Sequence, residues 1–232
     1  MRITLLFLLA VLSLGWWDKG HMLVSRIAWN HLTDTNRIEP RDKLNQLVLA
    51  LNPFTDGRSN SFMEAAVWPD DIKSYGASMF DSYHFTNVYP PSNVRVYDPD
   101  YTFKGMTSFQ QDVNSINTIN WCKNVLRNNR DGISFERGWM TRYLLHVVGD
   151  IHQPLHNTNF FNDTYKTGDL GGNLIHVKLI NGSSMNLHAF FDAIALEQDP
   201  DNRIQRPLND SFRQQLEDEA KELMGKYPPE SL

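Results

Sequence analysis

Cysteine is almost absent from this sequence, since Cys122 is the only one among 232 residues. An internal disulfide is therefore excluded. Basic residues are also in deficit, because 22 lysines and arginines stand against 27 aspartates and glutamates, a formal net charge of −5. This balance argues against a protein that holds nucleic acid on a broad surface of lysine and arginine.

Long hydrophobic runs are missing as well. The apolar run at residues 3–12 is shorter than the roughly 20 residues that a membrane-spanning helix needs. It follows a basic residue and precedes small residues at positions −3 and −1 of a cleavage site after Gly15, which is typical of a secretory signal peptide. We therefore predict that residues 1–15 are removed and that Trp16 begins the mature chain. An uncleaved signal anchor is the alternative.

The remaining composition is that of an ordinary globular protein, with 41% hydrophobic and 21% charged residues. Three Asn-X-Ser/Thr sequons, at Asn162, Asn181 and Asn209, would accept glycans in a eukaryotic secretory pathway. A secreted domain without a disulfide needs another source of stability, and bound metal is the obvious candidate. Nothing in the sequence implies a stable protein partner, so we expect a monomer.

Apolar residues recur at helical spacing over most of the sequence. The predicted helices span residues 22–32, 40–52, 108–127, 139–149 and 209–224. Ser108 and Gln111 form a capping box at the start of the third of these helices. Only residues 173–179 alternate like a strand, and residues 88–103, rich in Pro, Tyr and Asp, are predicted to form a loop. The predicted fold class is all-α, mainly helical, with long loops and at most a short β-hairpin.

Histidine and aspartate recur at helical spacing in two places. His146 and Asp150 are four residues apart, and His188 and Asp192 repeat that spacing. An imidazole and a carboxylate one helical turn apart can hold one cation. A single such pair is more often a surface ion pair or a hydrogen-bonded core histidine. Two pairs, with His156 close behind the first, favour a metal site without proving it.

Other histidines and motifs have plain structural interpretations when each is taken alone. His31, His152 and His176 are assigned to the surface or to supporting positions. Residues 68–71 (Trp-Pro-Asp-Asp) have the pattern of a turn with exposed acids, and residues 83–85 (Tyr-His-Phe) that of a strand with a half-buried histidine.

Taken together and in order, six motifs change this interpretation. They are residues 16–21 (Trp-Trp-Asp-Lys-Gly-His), 68–70 (Trp-Pro-Asp), 83–85 (Tyr-His-Phe), 146–156 (His-Val-Val-Gly-Asp-Ile-His-Gln-Pro-Leu-His), 171–173 (Gly-Gly-Asn) and 186–188 (Asn-Leu-His). The set resembles the three-zinc, single-strand-specific nucleases and 3'-nucleotidases of fungi, plants and protists. Those enzymes share a mainly helical fold with bacterial zinc-dependent phospholipase C. The resemblance extends from residue 16 to residue 192.

The resemblance implies three zinc sites. The ligands of one zinc would be Asp70, His84, His146 and Asp150. The ligands of a second would be His21, Asp150 as a bridge, and the free amine and carbonyl of Trp16. The ligands of the third would be His156, His188 and Asp192. Three divalent cations would also attract phosphate without a basic protein surface.

The resemblance further implies roles in catalysis and substrate binding. Zinc-activated water would cleave phosphodiester bonds of single-stranded DNA and RNA and leave 5'-phosphorylated products, with 3'-nucleotidase activity on nucleotides. Asp70 would orient or deprotonate the water, and Lys73 would contact the scissile phosphate. Phe85 would stack on an unpaired base while Asn87 hydrogen-bonds its edge. Many relatives carry Asp at the position of Asn87, so base preference is expected to be broader or shifted.

Several departures from the family pattern concern stability more than the ligands. Phe191 replaces a usual Trp, Pro69 replaces a common small residue, and the cysteines of some relatives are missing. The predicted domain, residues 16–232, lacks the further C-terminal helical segment of many relatives, so a short form and a fragment are both open. Two other functions also stay open, namely a phospholipase C-type phosphodiesterase and a non-catalytic, zinc-stabilised secreted binding protein.

Overall fold

The computed structural model describes residues 16–86, 113–128, 132, 134–166, 168–193 and 204–228. Eight α-helices lie within these residues: α1 (Asp18–Asp34), α2 (Ile38–Leu49), α3 (Phe62–Ala65), α4 (Trp68–Ser74), α5 (Ser115–Asn128), α6 (Phe135–Asp150), α7 (Leu187–Asp192) and α8 (Asp210–Lys226). Three 3₁₀ helices accompany them: Asn52–Phe54, Ser78–His84 and Pro154–His156. Two short strands complete the set, β1 (His176–Lys178) and β2 (Ser184–Asn186).

The predicted fold class is confirmed, because helices dominate and the strands form only one antiparallel hairpin. Val177 lies opposite Met185 in that hairpin. The strand is shorter than the alternation at residues 173–179 suggested, because a turn occupies the first part of that stretch. Among the described helices, none is both long and apolar enough to cross a bilayer.

Helix α6 lies at the centre of the described fold and packs against α5, α2 and α1. Ser134 caps its start by accepting a hydrogen bond from the backbone N–H of Arg137. Gly138 lets α2 approach closely, since a Cβ at that position would lie 2.6 Å from the carbonyl oxygen of Leu47. The apolar core on this side comprises Leu51, Trp68, Cys122, Tyr143 and Val147.

Helix α8 packs against α1 on the other side of the molecule. Its start is capped by Asn209, whose Oδ1 accepts a hydrogen bond of 2.9 Å from the N–H of Phe212. Glu217 of α8 accepts hydrogen bonds from Arg26 and Asn30 of α1. The apolar contact here comprises Met22, Met63, Val67, Ile204, Leu208 and Leu216.

Each predicted helix is present, but several boundaries differ. Helix α1 begins at Asp18 rather than at residue 22, so the last four residues of the motif at 16–21 are helical. Helix α5 begins at Ser115, where Asn114 Oδ1 accepts the N–H of Asn117 at 2.9 Å. The expected capping residues, Ser108 and Gln111, and the predicted loop at residues 88–103 lie outside the described residues.

Two local interpretations were wrong. Residues 68–71 belong to α4 and not to an exposed turn. Pro69 lies in the first turn of this helix, where a proline is tolerated, and the apolar side chain of Trp68 is buried. Residues 83–85 are not a strand, since His84 ends a 3₁₀ helix and only Phe85 is extended.

Candidate metal centre

Buried histidines and aspartates converge in three groups, the first two of which share His146. Within each group, the nitrogen or oxygen atoms that could bind metal lie within 4.8 Å of one another. The groups are His21, His146 and Asp150; Asp70, His84 and His146; and His156, His188 and Asp192. These residues come from α1, α4, α6, α7 and two of the 3₁₀ helices.

The side chains of Asp70, His84, His146 and Asp150 surround one point. His146 Nε2 lies 2.8 Å from His84 Nδ1 and 3.1 Å from Asp150 Oδ2. Asp70 Oδ1 lies 3.5 Å from His146 Nε2 and 3.7 Å from His84 Nδ1. Neighbouring ligands of a tetrahedral zinc are roughly 3.3 Å apart when each bond is about 2.0 Å. The two histidine nitrogens therefore have the spacing of one coordination shell with each other and with an oxygen of each carboxylate.

The two oxygens of Asp150 face different neighbours, as a bridging carboxylate requires. Oδ2 faces His84 and His146, whereas Oδ1 lies 3.4 Å from His21 Nε2. The His21 ring stacks on His146 with centroids 3.8 Å apart. Gly149 makes room for it, because a Cβ there would lie 2.9 Å from His21 Nδ1. Trp16 lies alongside, where its indole Nε1 donates to the Gly149 carbonyl at 2.9 Å.

The third group lies where α7 meets the 3₁₀ helix Pro154–His156. His156 Nε2 is 3.2 Å from His188 Nε2. Asp192 Oδ1 is 3.9 Å from His156 Nε2, and its Oδ2 is 3.5 Å from His188 Nε2. Asn186 caps α7 by accepting the N–H of Ala189 at 2.6 Å, which fixes the turn that presents both His188 and Asp192.

Backbone carbonyls set the orientation of three of the histidines. The Nδ1 atoms of His146, His156 and His188 lie 2.5–2.8 Å from the carbonyl oxygens of Ala66, His84 and Gly171, respectively. A carbonyl can only accept, so each Nδ1 carries the hydrogen when the ring is neutral. The lone pair of each ring is then on Nε2, which faces the cluster in all three cases. This arrangement is typical of histidines that bind metal.

Buried polar atoms without a hydrogen-bond partner concentrate in the same place. Among the described residues, both ring nitrogens of His21, Oδ1 of Asp150 and Oδ2 of Asp192 have none. Such atoms are rare in native proteins because leaving them unpaired is costly. Bound cations would satisfy the two carboxylate oxygens and one ring nitrogen of His21, and the mixture of imidazole and carboxylate suits zinc. The residues therefore fit the metal that the sequence implied.

The pKa values at this site are displaced in opposite directions. Burial lowers the pKa of His84 to about 3 and raises that of Asp192 to about 9. Burial also opposes charge on His146, but the carboxylates of Asp150 and Asp70 raise its pKa to about 10. Both raised pKa values favour a proton on His146 and on Asp192 when no cation is bound. Cations would replace those protons, as expected where metal binding is linked to proton release.

The predicted catalytic and substrate-binding residues lie beside the cluster where they are described. Lys73 Nζ is 2.8 Å from Asp70 Oδ1, and its side chain is 4% exposed. Phe85 is half-buried directly after His84. The backbone of Thr86, next along, donates to the carbonyl of His156 at 2.8 Å, which joins this segment to the third group. Asn87 lies outside the described residues.

One functional position was not assigned from the sequence. Gln153 is fully buried, and its Nε2 donates to Asp192 Oδ1 at 2.6 Å. Its place inside the 146–156 motif, directly before Pro154, was the signal that could have marked it. The histidines assigned to the surface, His31, His152 and His176, are exposed as predicted.

A mainly helical protein with a buried centre of histidines and aspartates is the class that this fold and site define. Residues 16–231 match the S1/P1 Nuclease family, and the chain belongs to that family.

Individual relatives agree with this assignment. The chain is 29% identical over 188 residues to Nuclease S1 of Aspergillus oryzae, an alignment that covers 79% of this chain and 55% of that protein. It is 26% identical over 188 residues to Endonuclease 3 of Arabidopsis thaliana, covering 80% and 56% respectively. Endonuclease 1 of the same plant is 29% identical over 192 residues, covering 81% and 56%. The chain thus spans little more than half the length of these relatives.

Proposed function

We propose that this chain is a secreted, zinc-dependent nuclease that hydrolyses phosphodiester bonds of single-stranded DNA and RNA and binds three zinc ions in its His/Asp groups. The observation that supports this most directly is the convergence of those groups on one buried region of the fold. Membership of a nuclease family supports the reaction class. The products would be 5'-phosphorylated, and 3'-nucleotidase activity on nucleotides belongs to the same proposal.

When bound, zinc supplies a water that is acidic enough to react at neutral pH and positive charge for phosphate oxygens. Asp70 would orient that water or take its proton, and its Oδ2, 3.9 Å from His21 Nε2, lies within the cluster where the zinc ions would be held. Lys73 holds its ammonium against Asp70 in a nearly water-free position. A charge at that position can bind an oxygen of the scissile phosphate more strongly than an exposed lysine would.

Base recognition falls to Phe85 and Asn87 in this proposal. The Phe85 ring directly follows the buried His84 and keeps part of its surface accessible. An aromatic face stacks any unpaired base, whereas a base inside a duplex is already stacked on its neighbours. Asn87 would hydrogen-bond the base edge with either a donor or an acceptor. Single-strand preference then follows from access to this ring.

Secretion belongs to the same proposal, with residues 1–15 as a signal peptide and residues 16–232 as a single, monomeric domain. The three sequon asparagines, Asn162, Asn181 and Asn209, are all exposed. Asn209 uses Oδ1 to cap α8, which leaves Nδ2, the atom to which a glycan is attached, available. Removal of the signal peptide would also free the amine of Trp16 for zinc.

The test is to secrete the full chain from a eukaryotic host, determine its N-terminus and zinc content, and assay single-stranded and duplex nucleic acids. We expect Trp16 at the N-terminus, three zinc ions, and cleavage of single strands that chelator abolishes. Asp150→Asn should abolish cleavage, whereas His176→Ala, at an exposed histidine, should leave it unchanged. Zinc-loaded protein that cuts neither DNA nor RNA overturns the proposal. Hydrolysis of phosphatidylcholine alone would instead identify a phospholipase, and folding without any hydrolysis a binding protein.

A further inference from the structure

A buried arginine outside the His/Asp cluster connects two of the segments that build it. Arg206, between α7 and α8, has a side chain that is only 1% exposed. Its Nε donates to Asp18 Oδ2 at 2.8 Å. Its two terminal nitrogens donate to the two oxygens of Asp71, each at 2.7 Å. A bidentate pair of this kind fixes both the distance and the relative orientation of its partners.

The charges around Arg206 are balanced. A buried guanidinium is strongly destabilising unless carboxylates neutralise it, and Asp18 and Asp71 do so. Arg58, which is 46% exposed, lies 3.7 Å from Asp71 and offsets the second negative charge. The pair of arginines and the pair of aspartates form a neutral unit of defined geometry.

Both carboxylates lie within one helical turn of an expected zinc ligand. Asp71 follows Asp70 in α4, and consecutive residues of a helix are about 100° apart around its axis. When Arg206 fixes the rotation of α4 through Asp71, the direction of the Asp70 side chain is therefore fixed as well. Asp18 stands one turn before His21 on α1, so it lies on nearly the same face. Across the space between the two helices, His21 Nε2 is 3.9 Å from Asp70 Oδ2.

We propose that Arg206 is a positioning residue that holds α1 against α4 so that His21 and Asp70 lie at the correct separation for the two zinc ions that Asp150 would share. The inference rests on the proposed zinc-dependent function. In the described part of the chain, the hydrogen bonds of Arg206 go to Asp18, Asp71 and the carbonyl of Arg58. The His156, His188 and Asp192 group is held by other contacts, so its zinc should not depend on Arg206.

The experiment compares zinc binding by the wild type, Arg206→Met and Arg206→Lys. We expect Arg206→Met to weaken the two zinc ions assigned to His21 and Asp70 and to leave the third unchanged. The loss should not exceed about 10–100-fold, the effect of removing a direct hydrogen-bond partner of a ligand, because Arg206 contacts only neighbours of the ligands. Arg206→Lys keeps the charge but loses the bidentate geometry, so its affinity should be intermediate. In a His21→Ala background, which already lacks the zinc assigned to His21, Arg206→Met should weaken only the zinc assigned to Asp70.

Arg26→Met is the matched control, because Arg26 also pairs with a carboxylate where α1 is packed, but on the side of Glu217. It should lower the melting temperature and keep three zinc ions. If Arg206→Met retains three zinc ions at wild-type affinity, or loses all three in proportion to stability, the inference is wrong. If it does not fold, Asp71→Asn provides the same measurement with Arg206 still paired to Asp18. A wild type that binds no zinc refutes the proposed function itself.

Discussion

Two residues of the cluster are shared between neighbouring groups. Asp150 directs one oxygen to His21 and the other to His84 and His146. His146 takes part in the first two groups and stacks on the ring of His21. A substitution at either shared residue therefore disturbs two metal positions, whereas one at His188 disturbs a single position. Losses from substitutions within the first two groups should not add, because their residues share partners.

Replacing Gln153 tests the support of a single ligand. Gln153→Met keeps the volume and removes the amide that donates to Asp192 Oδ1 at 2.6 Å. We expect zinc affinity at the His156, His188 and Asp192 group to fall by about 10–100-fold, with the other two sites unchanged. Competition with a chelator of known affinity measures this. Gln214→Met, at an exposed glutamine of α8, is the control, and an equal effect in both variants would contradict the assignment.

Contacts between residues close together in the sequence could be predicted from it, whereas contacts between distant residues could not. The pairs His146–Asp150 and His188–Asp192 follow from helical spacing, which is a local property. No local pattern could bring His21 to Asp150, because their meeting depends on how α1 packs against α6. Their association was predicted only through the order of the family motifs. Gln153 was missed because a glutamine is not itself a ligand, and its partner, Asp192, is remote in sequence.

Among the elements, the long helices were predictable and their ends were not. Apolar spacing marks the face of a helix that is buried, but the first turn of α1 lies against the His/Asp cluster and has little apolar periodicity. The 3₁₀ helices Ser78–His84 and Pro154–His156 gave no periodic signal because they are short. They are nevertheless the elements that aim His84 and His156. Tertiary packing therefore decided the parts of the fold that local propensity left open.

The crossing of α2 and α6 gives a test at this scale. Gly138→Ala would place a Cβ 2.6 Å from the Leu47 carbonyl oxygen, so the helices must separate. We expect the free energy of unfolding to fall by about 1–3 kcal/mol. Gly225→Ala in α8 is the control, since its Cβ would meet nothing within 4 Å. That variant should gain up to about 1 kcal/mol. Denaturant unfolding of both compares them, and a neutral Gly138→Ala would show that the helices adjust freely.

Over the whole molecule, the cluster connects segments that the apolar core holds separately. One core lies around α6, and another lies between α1, α3 and α8. The expected ligands span α1, α4, α6 and α7. Because α4 and α6 already share the core around Trp68 and Val147, bound cations would chiefly cross-link that core to α1 and α7. They would also neutralise the mutual repulsion of the buried aspartates. With one cysteine in the whole sequence, no disulfide can supply such cross-links.

Metal removal should therefore lower the stability of the entire protein. We expect chelator to reduce the melting temperature and added zinc to restore it. At free zinc 100-fold above its dissociation constant, each site contributes about 2.7 kcal/mol. Magnesium should not restore the loss, because it prefers oxygen ligands. Calorimetry of the chelated and reloaded protein measures the effect. Equal melting temperatures with and without chelator would show that cations do not cross-link these segments.

The N–H of Trp17 donates to the carbonyl of Asp192 at 3.2 Å. This bond joins the first described residues to a segment that the ribosome produces much later. Trp16 and His21 leave the ribosome early, yet they cannot have all their neighbours until α7 has followed. Contacts between such distant segments form slowly, because a long loop must close first. We therefore expect the centre to be completed late in folding, after the helices of the middle of the chain have packed.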